Sequence, residues 1–396
     1  MRQVASVDEL VERAMVETGH DDMGASGRDD MGEHAWRDGL SVLVDSANAE
    51  ADLNRFGVDL FESWVGERLR NRLRLIDWIT RHPEVSDQSV TSPLVIVGML
   101  RTGSTILLEL LAADPANRAL MKWEALDSIP PPQAATFETD PRIARWVEVM
   151  ETTYAMVPAL KAVHWEPGDG PTECVALLGQ SFRSQDWLGL FHVPSYVDWY
   201  LSTDLSPAYS FHRQALQVLG SQAPGTWVLK APGHLLALDA LVDTYPDARI
   251  VVLHRDPLRT VASAVSLSTT SIPNAVTADL DTTDHWGPLW LRMLGEMVDR
   301  LADFRKRRPE ARIMDLHYAE LVADPIAAVE EIHRWFGGEL SVTGAEAARR
   351  HLATHRQGTH GSHRYTLEDA GLTTAQVEQR FANYRHDYAI APEETE

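Results

Sequence analysis

A chain of 396 residues with a formal net charge of −22, 44% apolar and 24% charged residues, has material for one large or two ordinary domains and the composition of a soluble globular protein. That charge argues against nucleic acid as a general partner, because phosphate-backbone binding needs a broad basic face. The single cysteine, Cys174, excludes an internal disulfide and suits a reducing compartment, and no run approaches the ~18–20 apolar residues of a membrane span, so a cytoplasmic protein is expected.

Residues 1–90 read as helices packed on the remainder. Ser6 is a natural N-cap for Val7 to Thr18, and Gly19 stops that helix. Apolar residues recur at helical spacing through Trp36, Leu40, Leu43 and Val44, then Phe56 and Leu60, then Leu69, Leu73 and Ile76 to Pro83. Arg68, Arg70, Arg72 and Arg74 fall on several sides of the last segment and are expected to be solvated. The same is expected of the acidic stretches Asp29–Asp30 and Glu393–Glu396.

Leu94 to Val97 is a short, wholly apolar run, the pattern of a buried strand. Gly98 and Gly103 bracket a turn, and Ser104 or Thr105 can cap a helix through Leu107, Leu108, Leu110 and Leu111. Strand, Gly-bracketed loop and helix N-terminus make an anion cradle. The spacing is that of a P-loop, but Ser104 stands where the phosphate-binding lysine belongs, so the loop suits a phosphate other than the β/γ-phosphates of ATP, with Arg101 as the nearest cation.

Further along, His164 to Glu173 is a polar loop rich in Gly and Pro, and Phe182, Trp187, Phe191, Tyr196, Trp199 and Tyr200 form an aromatic-rich stretch that is either core or the wall of an acceptor pocket. Trp227 to Lys230 is a strand ending in lysine, followed by Ala–Pro–Gly–His234. Arg249 to His254 is another strand, with Arg255, then Asp256 as N-cap and Pro257 at the first helical position. Residues 271–287 read as a polar loop long enough to act as a lid, Arg312 to Leu316 as a fourth strand, Leu321 to Phe336 and Thr373 to Tyr384 as helices. Alternating strands and helices imply a parallel sheet with right-handed crossovers, and ligands bind such sheets at the strands' carboxyl ends. Arg101 to Thr105, Lys230 to His234 and Arg255 all fall there, three basic blocks on one rim despite the overall charge.

These blocks together resemble the sulfotransferase superfamily, most closely the bacterial sulfotransferase-3-type proteins of actinomycetes, over most of residues 90–340. The resemblance implies an α/β, P-loop-like three-layer domain over 91–396, a central parallel sheet flanked by helices, preceded by the helical portion 1–90. It implies transfer of a sulfuryl group from 3′-phosphoadenosine-5′-phosphosulfate (PAPS), without a metal, to a hydroxyl of a small-molecule, lipid or carbohydrate acceptor. Arg101, Thr102, Gly103, Ser104 and Thr105 then match the 5′-phosphosulfate loop, Arg255 and Ser263 the 3′-phosphate pair, and Lys230 with Pro232 the family's Lys–x–Pro. Arg356–Gln–Gly358 is similar to the C-terminal loop that closes on the 3′-phosphate. Arg101 and Lys230 are the candidate catalytic cations. For the base, Glu124 and His234 compete, Glu124 being preferred. The alternatives are a P-loop nucleotide kinase or NTPase and a catalytically inactive nucleotide-binding relative. The helical portion is the candidate interface of a homo-oligomer.

Overall fold

The computed structural model describes residues 3–24, 35–270, 282–354 and 366–393. Its centre is a five-stranded, all-parallel sheet in the order β2-β3-β1-β4-β5, formed by β1 (Leu94–Gly98), β2 (Asn117–Ala119), β3 (Thr226–Lys230), β4 (Arg249–His254) and β5 (Ile313–His317). In β1, β3 and β4 the strand residues are buried almost throughout, as a sheet covered on both faces requires. The strand at the edge, β2, is only Asn–Arg–Ala, and no apolar run announces it in the sequence.

The two faces feed separate cores. Leu94, Ile96, Val251 and Leu253 point into one, against the leucines of α4 (Ser104–Ala112), Val329 and Ile332 of Pro325–Trp335, and Ala348 of Val342–Thr354. Val95, Val97, Ile250 and Val252 point into the other, which is larger. It contains the apolar faces of the three leading helices, α1 (Val7–Thr18), α2 (Ala35–Glu50) and α3 (Arg55–Arg81). Alternation at period two thus builds three layers. The arrangement is the parallel α/β sheet that the alternating pattern implies and the P-loop-like three-layer fold that the resemblance implies.

Several local readings need correction. Arg68 and Arg72 are not solvated: Arg68 is buried and its Nη2 lies 2.8 Å from the Asp186 carboxylate. Arg72 donates to the Met23 carbonyl at 3.0 Å and lies over the Phe211 ring. Each long arginine stem buries hydrocarbon while its head finds a fixed partner, so a charged residue can face a core. Phe182, Trp187, Phe191, Tyr196 and Tyr200 are core, not pocket wall, with Phe191 edge-on to Phe61 of α3 at 5.1 Å. The expected lid over 271–287 is shortened, because a helix, Thr282–Arg307, begins within it; 271–281 lie outside the described residues. No helix among the described residues is long and apolar enough to cross a membrane.

Candidate active site

Register places the strand ends together. Ile96 of β1 is level with Lys230 at the end of β3, and Gly98 with Leu253 near the end of β4. The chain leaving β1 therefore emerges between Lys230 and Arg255. Gly98 has no room for a side chain, since a Cβ would lie 2.8 Å from both the Leu253 carbonyl and Thr102 Oγ1. The loop then uses two left-handed residues, Arg101 (φ 66°) and Gly103 (φ 87°), on either side of buried Thr102, whose hydroxyl donates to the Met99 carbonyl at 2.9 Å. Such alternation turns successive N–H groups inward into an anion-binding nest. Gly103 itself occupies the N-cap of α4, and among the described residues no side chain caps that helix. The expected capping by Ser104 or Thr105 therefore does not occur, which leaves the first-turn N–H groups and the positive helix end available to a ligand.

Lys230 is held at the rim by two partners: its Nζ donates to the Glu173 carboxylate at 2.6 Å and to Thr105 Oγ1 at 3.3 Å. Glu173 is the residue that sequence reasoning missed. It sits in the Gly/Pro-rich loop, 57 positions from Lys230, and tertiary backbone bonds bring it in. Lys122 N–H donates to the Gly170 carbonyl, Thr172 N–H to the Leu120 carbonyl, and Cys174 N–H to the Lys230 carbonyl at 2.8 Å. The segment 170–174 is thereby stitched between the chain after β2 and the end of β3. A carboxylate among the glycines and prolines, immediately before Cys174 and a short helix, was the available signal.

Arg255 is shaped for an anion and already holds one. Its Nη1 donates to the Arg101 carbonyl at 2.7 Å, its Nε and Nη2 to the two carboxylate oxygens of Glu393 at 2.8 Å each, and its plane lies 3.8 Å from the centroid of the Tyr318 ring. Glu393 is thus ion-paired, contrary to the solvated tail expected. Tyr318, the second missed residue, follows β5 directly and also touches the loop, because a Cβ on Gly103 would lie 3.0 Å from its ring. Ser263, on the helix Pro257–Thr270 that Asp256 caps, is buried, and among the described residues its Oγ has no hydrogen-bond partner.

The two proposed bases fare differently from that cluster. Glu124 is wholly buried in a bidentate pair with Arg118, at 2.7 and 2.6 Å, and also accepts from Met121 N–H. Arg118 is sandwiched between Phe137 and Trp227 and donates its remaining N–H groups to the carbonyls of Ala119, Leu219 and Ala223. Glu124, the preferred base, thus has its carboxylate engaged by Arg118 and by the Met121 N–H. His234 is buried four residues beyond Lys230, with Nδ1 2.6 Å from the Tyr209 hydroxyl, and burial beside His212 pulls its pKa down to about 3. Arg356 and Gly358 lie outside the described residues.

A parallel sheet with a lysine-less P-loop and cations on three adjacent strand ends is the framework of a group transferase. A model described as the sulfotransferase family matches residues 93–342, which span all five strands, and the chain belongs to that family: it is an enzyme that transfers a sulfuryl group. It is similar to two crystal structures over nearly its whole length. Sulfotransferase STF1 from Mycobacterium tuberculosis H37Rv is 34% identical, covers 97% of this chain and 100% of its own, and superposes with a TM-score of 0.85. Sulfotransferase STF9 from Mycobacterium avium is 31% identical with both chains covered completely and a TM-score of 0.89. The omega-hydroxy-beta-dihydromenaquinone-9 sulfotransferase Stf3 of M. tuberculosis is 20% identical over 302 residues, 74% of this chain and 75% of that protein. The kinase alternative is not favoured.

Proposed function

We propose that the enzyme draws its sulfuryl group from PAPS and passes it to a hydroxyl of a small-molecule, lipid or carbohydrate acceptor, with Glu173 as the general base. The observation that carries this reading is the convergence of Lys230–Glu173, the loop of Arg101 and Arg255 on three neighbouring strand ends. The residues fit the donor. The uncapped start of α4 and the loop N–H groups suit its 5′-phosphosulfate, and Arg255 with the orphaned Ser263 hydroxyl suits its 3′-phosphate. When bound, the donor supplies the sulfuryl group and departs as adenosine 3′,5′-bisphosphate.

Transfer of this kind, like phosphoryl transfer, spreads charge over equatorial and bridging oxygens, so aimed cations and donors are the main catalytic resource. Lys230 and Arg101 neutralise that charge. Thr105, bridged to Lys230, shares the loop side of the site. Glu173 accepts the acceptor hydroxyl's proton as Lys230 turns its ammonium toward the transferring group. Geometry favours Glu173 over Glu124 because its carboxylate has 22% side-chain exposure and touches the rim lysine, whereas that of Glu124 has none.

The test is binding and transfer together. Adenosine 3′,5′-bisphosphate should raise the melting temperature markedly. Arg255→Ala should weaken its binding by about 30- to 100-fold, the loss of a bidentate charge-assisted contact. Glu173→Gln should bind the bisphosphate normally yet lose single-turnover transfer from labelled PAPS. A bisphosphate affinity unchanged in Arg255→Ala, or undiminished transfer in Glu173→Gln, sinks the corresponding assignment.

A further inference from the structure

The Glu393 carboxylate is not a stray contact of a loose tail. The chain that carries it is fastened to the end of β4 at successive points. Tyr384, on the helix Ala382–Asp387, lies with its hydroxyl 3.1 Å from His254 Nδ1, while the other ring nitrogen of His254 lies 2.8 Å from Asp315 Oδ1. Tyr388 stacks on the same imidazole at 4.4 Å. Ala389 then turns through a left-handed φ of 50°, Ile390 is buried, and its N–H donates to the Arg385 carbonyl. Finally Glu393 N–H donates to Asp256 Oδ2 at 2.9 Å. Main chain and side chain together present the carboxylate to Arg255 in the two-oxygen, two-nitrogen geometry that a phosphate would use.

We infer that Glu393 is an internal stand-in for the donor's 3′-phosphate, an autoinhibitory carboxylate that the nucleotide must displace to bind. The inference rests on the proposed reading of Arg255 as the 3′-phosphate contact. Magnitudes favour a displaceable latch. The pair keeps 17% and 31% side-chain exposure, so it is worth little against solvent. A phosphate carries more charge, can add the buried Ser263 hydroxyl, and leaves Tyr318 and the Arg101 carbonyl in place behind the guanidinium. A nucleotide without the 3′-phosphate has nothing to put in the carboxylate's place. The latch therefore divides apparent affinity for the donor by the inverse of the fraction of time it is open, about five- to tenfold for a latch open about 10–20% of the time, and it acts only on ligands that need this subsite.

The experiment is calorimetric titration of the full chain and of Glu393→Gln with two probes, adenosine 3′,5′-bisphosphate and adenosine 5′-monophosphate. The expected result is a five- to tenfold tighter bisphosphate in the variant with the monophosphate unchanged. Unchanged or weaker bisphosphate binding overturns the latch, as does equal tightening of both probes, since then Glu393 does not occupy the 3′-phosphate position. If the unaltered chain fails to prefer bisphosphate over monophosphate, the reading of Arg255 falls first and takes the latch with it.

Discussion

Glu124→Gln separates a structural carboxylate from a catalytic one. The substitution keeps the side chain's shape but removes the charge that balances Arg118, a guanidinium only 6% exposed. Breaking a buried ion pair from one side costs about 3–5 kcal/mol; the amide can still accept a hydrogen bond, so about 3 kcal/mol is expected. For 396 residues the unfolding entropy is about 0.8 kcal/mol/K, which converts that loss into a fall in Tm of about 4 °C. Urea unfolding and thermal melts measure the loss, and single-turnover transfer at saturating PAPS measures the chemistry at a temperature where the variant is folded. The expected outcome is a destabilised enzyme whose chemical step matches that of the unaltered chain. A variant of undiminished stability that has lost transfer would refute the argument and return Glu124 to the base position.

Two other outcomes follow from the same geometry. Glu166 is pushed up by burial but pulled further down by the Lys122 ammonium, by His164 and by hydrogen bonds from Lys122 and Thr172, to about 2 from an ordinary 4.5. A carboxyl depressed in the folded state contributes stability above about pH 4.5 and loses it as pH falls toward 2, so on the order of 3 kcal/mol of acid sensitivity should vanish in Glu166→Gln, read as the difference between the two urea-unfolding curves across that window. Gly103→Ala forces a side chain to a φ of 87° and to 3.0 Å from Tyr318, so it should cost about 1–2 kcal/mol of stability and weaken adenosine 3′,5′-bisphosphate binding; an unaffected titration would show that the loop does not need this turn.

What the sequence disclosed follows from how far each interaction reaches along the chain. The apolar runs of β1, β3 and β4 and the Asp256–Pro257 helix start are local signals, and each stands where its pattern puts it. The cations at the strand ends are legible for the same reason: once strands are placed, their carboxyl ends follow. Long-range pairings are not. Burial of Arg68 depends on Asp186, 118 positions away, and that of Glu124 on a guanidinium held between two aromatic rings from elsewhere in the chain. Glu173 was hidden in a loop whose position is set by backbone bonds to Leu120 and Lys230, contacts without residue-type preference. Only two polar residues and an alanine form β2, and propensity has little to act on there.

The same distinction explains how a chain of charge −22 can build an anion site. Two of the cations on the rim already have carboxylates against them, Lys230 that of Glu173 and Arg255 that of Glu393. Desolvated cations left alone would be costly, and in an acidic protein a carboxylate is the partner nearest to hand. Ligand binding is then an exchange of anions rather than the filling of a charged hole. On the proposed reading, the two exchanges have different consequences. Displacing Glu393 only opens the 3′-phosphate subsite. Drawing Lys230 toward the sulfuryl group frees Glu173 beside the acceptor hydroxyl, so the carboxylate becomes available as a base only when there is a group to transfer. On that reading donor occupancy and base activation are coupled through one lysine, with Lys230 serving the reaction both by neutralising charge and by withholding the base until the donor is seated.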